Sequence, residues 1–150
     1  MAIKKPVNKK KSSFEFTGYI LGGLKSEKGT FRKWKGFIIL EDNKIKAVEG
    51  TIDTTSVDTG IKKLNQHLKS PDFFNVKKYP KTTFKAKIKE KPNPKLDGEF
   101  TFRGKTQKIS APIKLTNNSI STDFKINTGP FRIKYIGMKK YVKINFKFVI

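Results

Sequence analysis

Apolar and polar residues alternate along most of this chain, and the alternation is broken in one place. Phe14, Phe16, Gly18 and Ile20 share one parity in the stretch from Ser13 to Gly23, the two-residue period of a strand with one buried face. Gly22-Gly23 and the polar run Lys25 to Lys28 predict the turn that follows it. A second strand is predicted from about Thr30 to Leu40. Its apolar positions change parity between Phe31 and Trp34, Ile38 and Leu40, which predicts a bulge near Arg32-Lys33. Glu41 to Lys44 reads as a hairpin turn and Ile45 to Thr54 as a third strand.

The break lies between Gly50 and Phe84. From Ile61 the apolar positions are Ile61, Leu64 and Leu68, a helical spacing that predicts one helix over about Ile61 to Lys69 with Asp58 or Thr59 as its N-cap. Ser70-Pro71 ends it, because proline disfavours helical geometry in the residue before it. Asp72 is then placed to cap a further short turn carrying Phe73 and Phe74, and Pro80 closes the connection. The stretch therefore predicts a helical plug slung between two strands, acting as lid or floor.

Alternation resumes at Thr82 to Glu90 and continues in Leu96 to Arg103, Thr106 to Thr116, Ser119 to Asn127 and Tyr141 to Ile150. Lys91 to Pro94, Gly104-Lys105 and Asn117-Asn118 supply turns, and Thr128-Gly129-Pro130 opens a long connection to Lys140. Eight strands with one-sided apolar faces need closure or a second sheet to cover that face. An eight-stranded antiparallel barrel is wide enough to be filled by side chains or to hold one small ligand, and the residues alone leave both open. No repeat or linker divides the chain. Residues 1–12, with five lysines between Lys4 and Lys11, read as a basic flexible arm, and residues 13–150 as one barrel domain.

Composition narrows the chemistry. Apolar content is 35%, which 13 phenylalanines offset because each buries a large area. The chain has no cysteine, which excludes disulfides, thiol catalysis and zinc–thiolate sites, and one histidine, His67, which excludes a His-rich metal site. The net charge of +22 raises a polyanion as partner. Against this, Lys85, Lys87 and Lys89 alternate with Phe84, Ala86 and Ile88, and Lys143 and Lys147 with Ile144, Phe146 and Phe148. That pattern predicts a solvated outer face which discourages edge-to-edge pairing. No run approaches the ~18 apolar residues of a membrane-spanning helix. The segment Met1 to Ser13 lacks the apolar core of a complete signal peptide.

One stretch carries a resemblance. Thr51-Ile52-Asp53, Ser56-Val57-Asp58-Thr59-Gly60, His67-Leu68, Ser70, Asp72-Phe73-Phe74, Val76, Lys78-Tyr79-Pro80 and Thr83-Phe84 resemble a run found in the YceI family. Gly29-Thr30-Phe31 with Trp34 and Gly36, and Phe102-Arg103-Gly104 with Thr106, extend the likeness from about Phe14 onward. Two positions depart from the family pattern. Arg103 stands where many members have histidine, and Thr128 to Arg132 lacks the acidic residue of an R-x-D-F-G element. The resemblance implies a closed, lipocalin-like barrel that encloses a long-chain isoprenoid or similar amphiphile, in an exported or periplasmic protein, with a cytoplasmic one as the alternative.

The candidate ligand-binding residues follow from both readings. Trp34, Ile38, Phe84, Phe102, Ala111, Ile113, Phe124 and Phe146 lie on the apolar strand faces, and Phe73 lies in the insert. His67 is a candidate to hydrogen-bond a head group, and Arg103 to favour an anionic one such as a carboxylate. A catalytic His67 would need an orienting carboxylate and a nucleophile, and no such motif is present. Asp58 and Asp72 read as helix caps. The expectation is a non-enzymatic carrier or sequestering protein for a long apolar molecule, with no catalytic residue, cofactor or metal. Weak contact with an anionic membrane surface is expected, and a homodimer is left open. The alternative is a nucleic-acid or polyanion binder using the basic arm and surface. No specific nucleic acid is expected, since the aromatic residues fall on apolar strand faces and not between exposed basic ones.

Overall fold

Ladder pairing of the alternating segments gives two six-stranded antiparallel sheets in the computed structural model, which describes residues 2–20, 25–128 and 141–150. The strands are β1 (Ala2–Pro6), β2 (Ser13–Ile20), β3 (Lys25–Phe31), β4 (Trp34–Glu41), β5 (Lys44–Asp53), β6 (Val57–Asp58), β7 (Lys81–Lys89), β8 (Lys95–Phe102), β9 (Lys105–Pro112), β10 (Lys114–Leu115), β11 (Ser119–Asn127) and β12 (Tyr141–Val149). One sheet has the order β1-β4-β5-β7-β8-β9 and the other β10-β11-β12-β2-β3-β6. Among the described residues the ladders do not join into a single closed eight-stranded barrel. The architecture is all-β with one short helix, α1 (Lys62–Leu68).

The parity change at Arg32-Lys33 has a larger meaning than a bulge. The chain bends there, leaving one sheet with β3 and entering the other with β4. Both halves keep their apolar side inward because the bend absorbs the odd step between Phe31 and Trp34. The polar run at Lys25 to Lys28 is strand, not turn: β3 begins at Lys25 and pairs with β2, Glu27 opposite Gly18 and Lys28 opposite Thr17. Gly22-Gly23 and the connection from Gly129 to Lys140 lie outside the described residues.

The basic arm also changes character. Residues 2–6 form β1, exposed along its whole length yet paired with β4, Ile3 opposite Leu40 and Lys5 opposite Ile38. Val7 is buried, its N–H donating to Gly36 O at 2.9 Å, and Asn8 N–H donates to Val149 O at 2.6 Å. Backbone pairing, which polar side chains do not oppose, fixes what the lysine-rich composition suggested would be loose. Two hairpins turn on pairs of residues with positive φ, Asp42-Asn43 (53° and 62°) and Arg103-Gly104 (52° and 71°), as the twist of a two-residue hairpin requires.

Inward side chains of both sheets meet in one core. Phe84 of the first sheet lies 5.8 Å from Phe14 and 5.3 Å from Phe146 of the second, ring centroid to ring centroid. Phe146 and Phe148 are fully buried, and Phe148 stacks on Trp34 at 5.5 Å. Burying each such ring contributes about 1.5–3 kcal/mol. This half of the core, with Ile38, Val48, Leu96 and Ile120 at zero exposure, is filled.

Candidate functional site

The other half of the core is not filled. A cavity of about 180 Å³ lies at the end of the sheets where β5 finishes and β7 begins. Strand position decides which inward residues reach it. On β12, Val142 and Ile144 line it while Phe146 and Phe148 do not; on β11, Ile126 does and Phe124 and Ile120 do not. Phe14, Phe16 and Gly18 of β2, Phe31 of β3, Ile52 of β5 and Phe100 and Phe102 of β8 add further strand wall. The cavity occupies one height of the fold, above a floor of packed phenylalanines.

The helical insert forms a further wall. Leu64, His67 and Leu68 of α1 and Phe73 and Phe74 beyond it face the cavity. Phe74 packs edge-on against Phe16 at 5.7 Å and Phe102 at 5.4 Å, so the insert interlocks with strands of both sheets. The backbone after α1 folds back along it: Phe74 N–H donates to Leu68 O at 2.8 Å and Val76 N–H to Lys69 O at 3.2 Å. Arg103 ties the insert to the β8–β9 turn, donating from Nη1 to Pro71 O at 2.8 Å and to Phe73 O.

The entry to α1 differs from the predicted cap. Ile61 is the capping position and makes no side-chain cap bond, and α1 starts one residue later than predicted. Asp58 instead accepts from Gly60 N–H at 2.8 Å and forms an ion pair with Arg32 at 2.9 Å. The Gly60 N–H first, and Arg32 after it, hold the Asp58 carboxyl below the usual carboxylate range. Thr59 Oγ1 accepts from Ile61 N–H at 3.2 Å, and Asn65 Oδ1 accepts from Thr59 N–H at 2.8 Å. Ile61, the first apolar position of the predicted helical spacing, is 49% exposed and does not share the inward face of Leu64 and Leu68. Phe73 N–H donates to Ser70 O at 3.0 Å, which makes the short turn expected at Asp72.

Polar side chains are few among the described residues of the wall. Glu27, Thr59, His67, Thr82 and Thr128 contribute them. Thr82 is buried, and its Oγ1 has no hydrogen-bond partner among the described residues. His67 meets Phe73 edge-on at 4.9 Å. Among the described residues no group of three or more His, Cys, Asp or Glu side chains converges as a metal site would require. The arrangement suits a nonpolar guest, since an apolar surface left wet is the costly state.

Of the residues singled out in the sequence, Phe73, Phe102 and His67 line the cavity. Trp34, Ile38, Phe84, Phe124 and Phe146 lie in or against the filled core, as do Ala111 and Ile113. Arg103 is occupied with the insert's carbonyls. Sequence reasoning missed Phe14, Phe16, Phe31, Phe100, Ile126, Val142 and Ile144 as a group. Apart from Phe14, which sits opposite Phe146, their signal was adjacency to the insert along each strand: residues toward the strand ends that meet it border the space, and residues farther along pack.

Comparison with known proteins bears on the family and the fold. The model of the YceI-like domain matches residues 6–150. Protein YceI of Escherichia coli O157:H7 is 37% identical in an alignment of 91 residues that covers 58% of this chain and 48% of that protein. The chain spans about half the length of the curated relatives it matches. Among solved structures, Burkholderia cenocepacia BcnA superposes with a TM-score of 0.85 at 22% identity, over 96% of this chain and 99% of that one. A polyisoprenoid binding domain from Saccharophagus degradans superposes with a TM-score of 0.67 at 14% identity, over 91% of each chain. At these identities the structures show a shared fold.

Proposed function

Because this chain belongs to the YceI-like family, we propose that it binds a long-chain apolar molecule and carries or sequesters it without chemical change. The ligand class is an isoprenoid, a fatty acid or a similar amphiphile. The observation that carries the reading is the cavity, whose wall is built from Phe14, Phe16, Phe31, Phe74, Phe100 and Phe102 with aliphatic neighbours and few polar atoms. The name of the Saccharophagus degradans neighbour points to the same ligand class. Phe73, Phe102 and His67 touch the ligand in this reading, and Arg103 acts by holding the insert against it. The volume of about 180 Å³ is several times the ~30 Å³ that a water molecule occupies in the liquid and takes one section of a tail. By family likeness the protein works outside the cytoplasm.

Native mass spectrometry of the purified protein, followed by solvent extraction, tests the proposal. The expected result is a bound lipid-like mass released by solvent, or uptake of an added long-chain fatty acid in its absence. A protein that carries nothing and takes up neither a fatty acid nor a polyprenol would overturn it. The nucleic-acid reading gains no support, since the phenylalanine rings pack with one another inside the two sheets.

A further inference from the structure

The lysines of this chain are not uniformly compensated. On the strand faces five are ion-paired, Lys4 with Glu49 at 2.9 Å, Lys89 with Asp97 at 2.9 Å, Lys28 with Glu15 and Lys46 with Glu90 at 3.8 Å, and Lys143 with Asp123 at 3.6 Å, while others such as Lys85, Lys87, Lys108 and Lys114 are in no ion pair among the described residues. The insert gathers such lysines on one element. Residues 61–81 hold six lysines and a single acid, Asp72. Among the described residues none of those six is in an ion pair; Lys78 instead lies 5.4 Å from the ring centre of Tyr79. Lys62, Lys63, Lys77, Lys78 and Lys81 are exposed. Beside Lys62 stands Ile61, 49% exposed and one of two large exposed apolar side chains among the described residues.

We propose that the insert is a docking surface for the anionic face of a lipid bilayer, with its lysines on the headgroups and Ile61 entering among them. Uncompensated lysines near such a surface are attracted at about fivefold in partition each, and an apolar side chain beside them adds binding that salt does not screen. The apolar side chain favours a bilayer over a soluble polyanion, which offers it nothing to enter. Placement agrees: α1 presents Leu64, His67 and Leu68 to the cavity while its lysines stay in solvent. Docking here sets the cavity wall against the membrane. That docking serves ligand exchange rests on the carrier reading; the docking itself does not.

The test is co-sedimentation with vesicles of phosphatidylcholine alone and with about 30% phosphatidylglycerol. Binding is expected only to the anionic vesicles. Reversal of Lys62 and Lys63, or of Lys77 and Lys78, to Glu is expected to weaken it at least tenfold. The same change of net charge at Lys114 and Lys147, exposed on β10 and β12 away from the insert, is expected to weaken it less than threefold. Ile61→Ser is expected to lower binding about fivefold and to abolish what persists in high salt, with circular dichroism showing the same fold. Equal losses from both sets of reversals would overturn the proposal, and so would full competition by duplex DNA with no effect of Ile61→Ser. Insert-dependent vesicle binding by a protein that takes up no apolar ligand would leave docking standing and remove the carrier reading.

Discussion

Thr82 is a buried hydroxyl on a mostly apolar wall, and its Oγ1 finds no partner among the described residues. A buried polar atom without a hydrogen bond costs its desolvation in full, so replacing it with an apolar group of the same shape is neutral or stabilising. Thr82→Val is therefore expected to raise stability by up to about 1 kcal/mol, read as an unchanged or higher melting temperature. A clear fall would show that the hydroxyl is satisfied. Asp58 gives a second residue-scale prediction. A carboxyl whose folded pKa is depressed stabilises the fold above its unfolded value, and that contribution is lost as pH falls through the folded value. Asp58 should hold Gly60 and Arg32 in place above about pH 4 and release them in more acid solution. In a titration followed by NMR, Arg32→Ala should raise the Asp58 midpoint without restoring the ordinary value, because the Gly60 N–H remains. An unmoved midpoint would contradict the assignment.

At the scale of elements, the insert depends on a residue in another part of the chain. Arg103 occupies a positive-φ position (52°) in the β8–β9 turn and reaches the carbonyls of Pro71 and Phe73. Arg103→Asn keeps a residue that tolerates this backbone and removes the tether. The expected cost is roughly 1–2 kcal/mol, with faster amide exchange confined to residues about 70–76. Uniformly faster exchange through both sheets would mean that the tether supports the whole fold. The elements themselves were largely legible from alternation, and so was the helix from Ile61, Leu64 and Leu68. Alternation says which face a residue takes, however, and nothing about its height along the strand. Phe124 and Ile126 share a face, and only Ile126 borders the cavity. The parity change at Arg32-Lys33 was visible, but a bulge and a crossing between sheets leave the same trace in one sequence. The edge strand β1 was hidden by its lysines, because its order comes from backbone pairing with β4.

At the scale of the whole molecule the interior divides into a filled half and an open half, and two glycines mark the division. Gly50 sits against the ring of Phe84 in the filled half, so that a Cβ there would strike it. Gly50→Ala is expected to cost roughly 1–3 kcal/mol by overpacking, measured by denaturant unfolding. Gly18 lines the cavity, and a Cβ built on it meets nothing within 4 Å among the described residues. Gly18→Leu should fill space without strain, and its melting temperature in the ligand-free state should equal or exceed that of the wild type. Bound-ligand content of wild type and Gly18→Leu, measured by native mass spectrometry on matched preparations, is the most direct test of the carrier reading. A folded variant that has lost most of its ligand is the predicted result; the same ligand at undiminished occupancy in both proteins would contradict it.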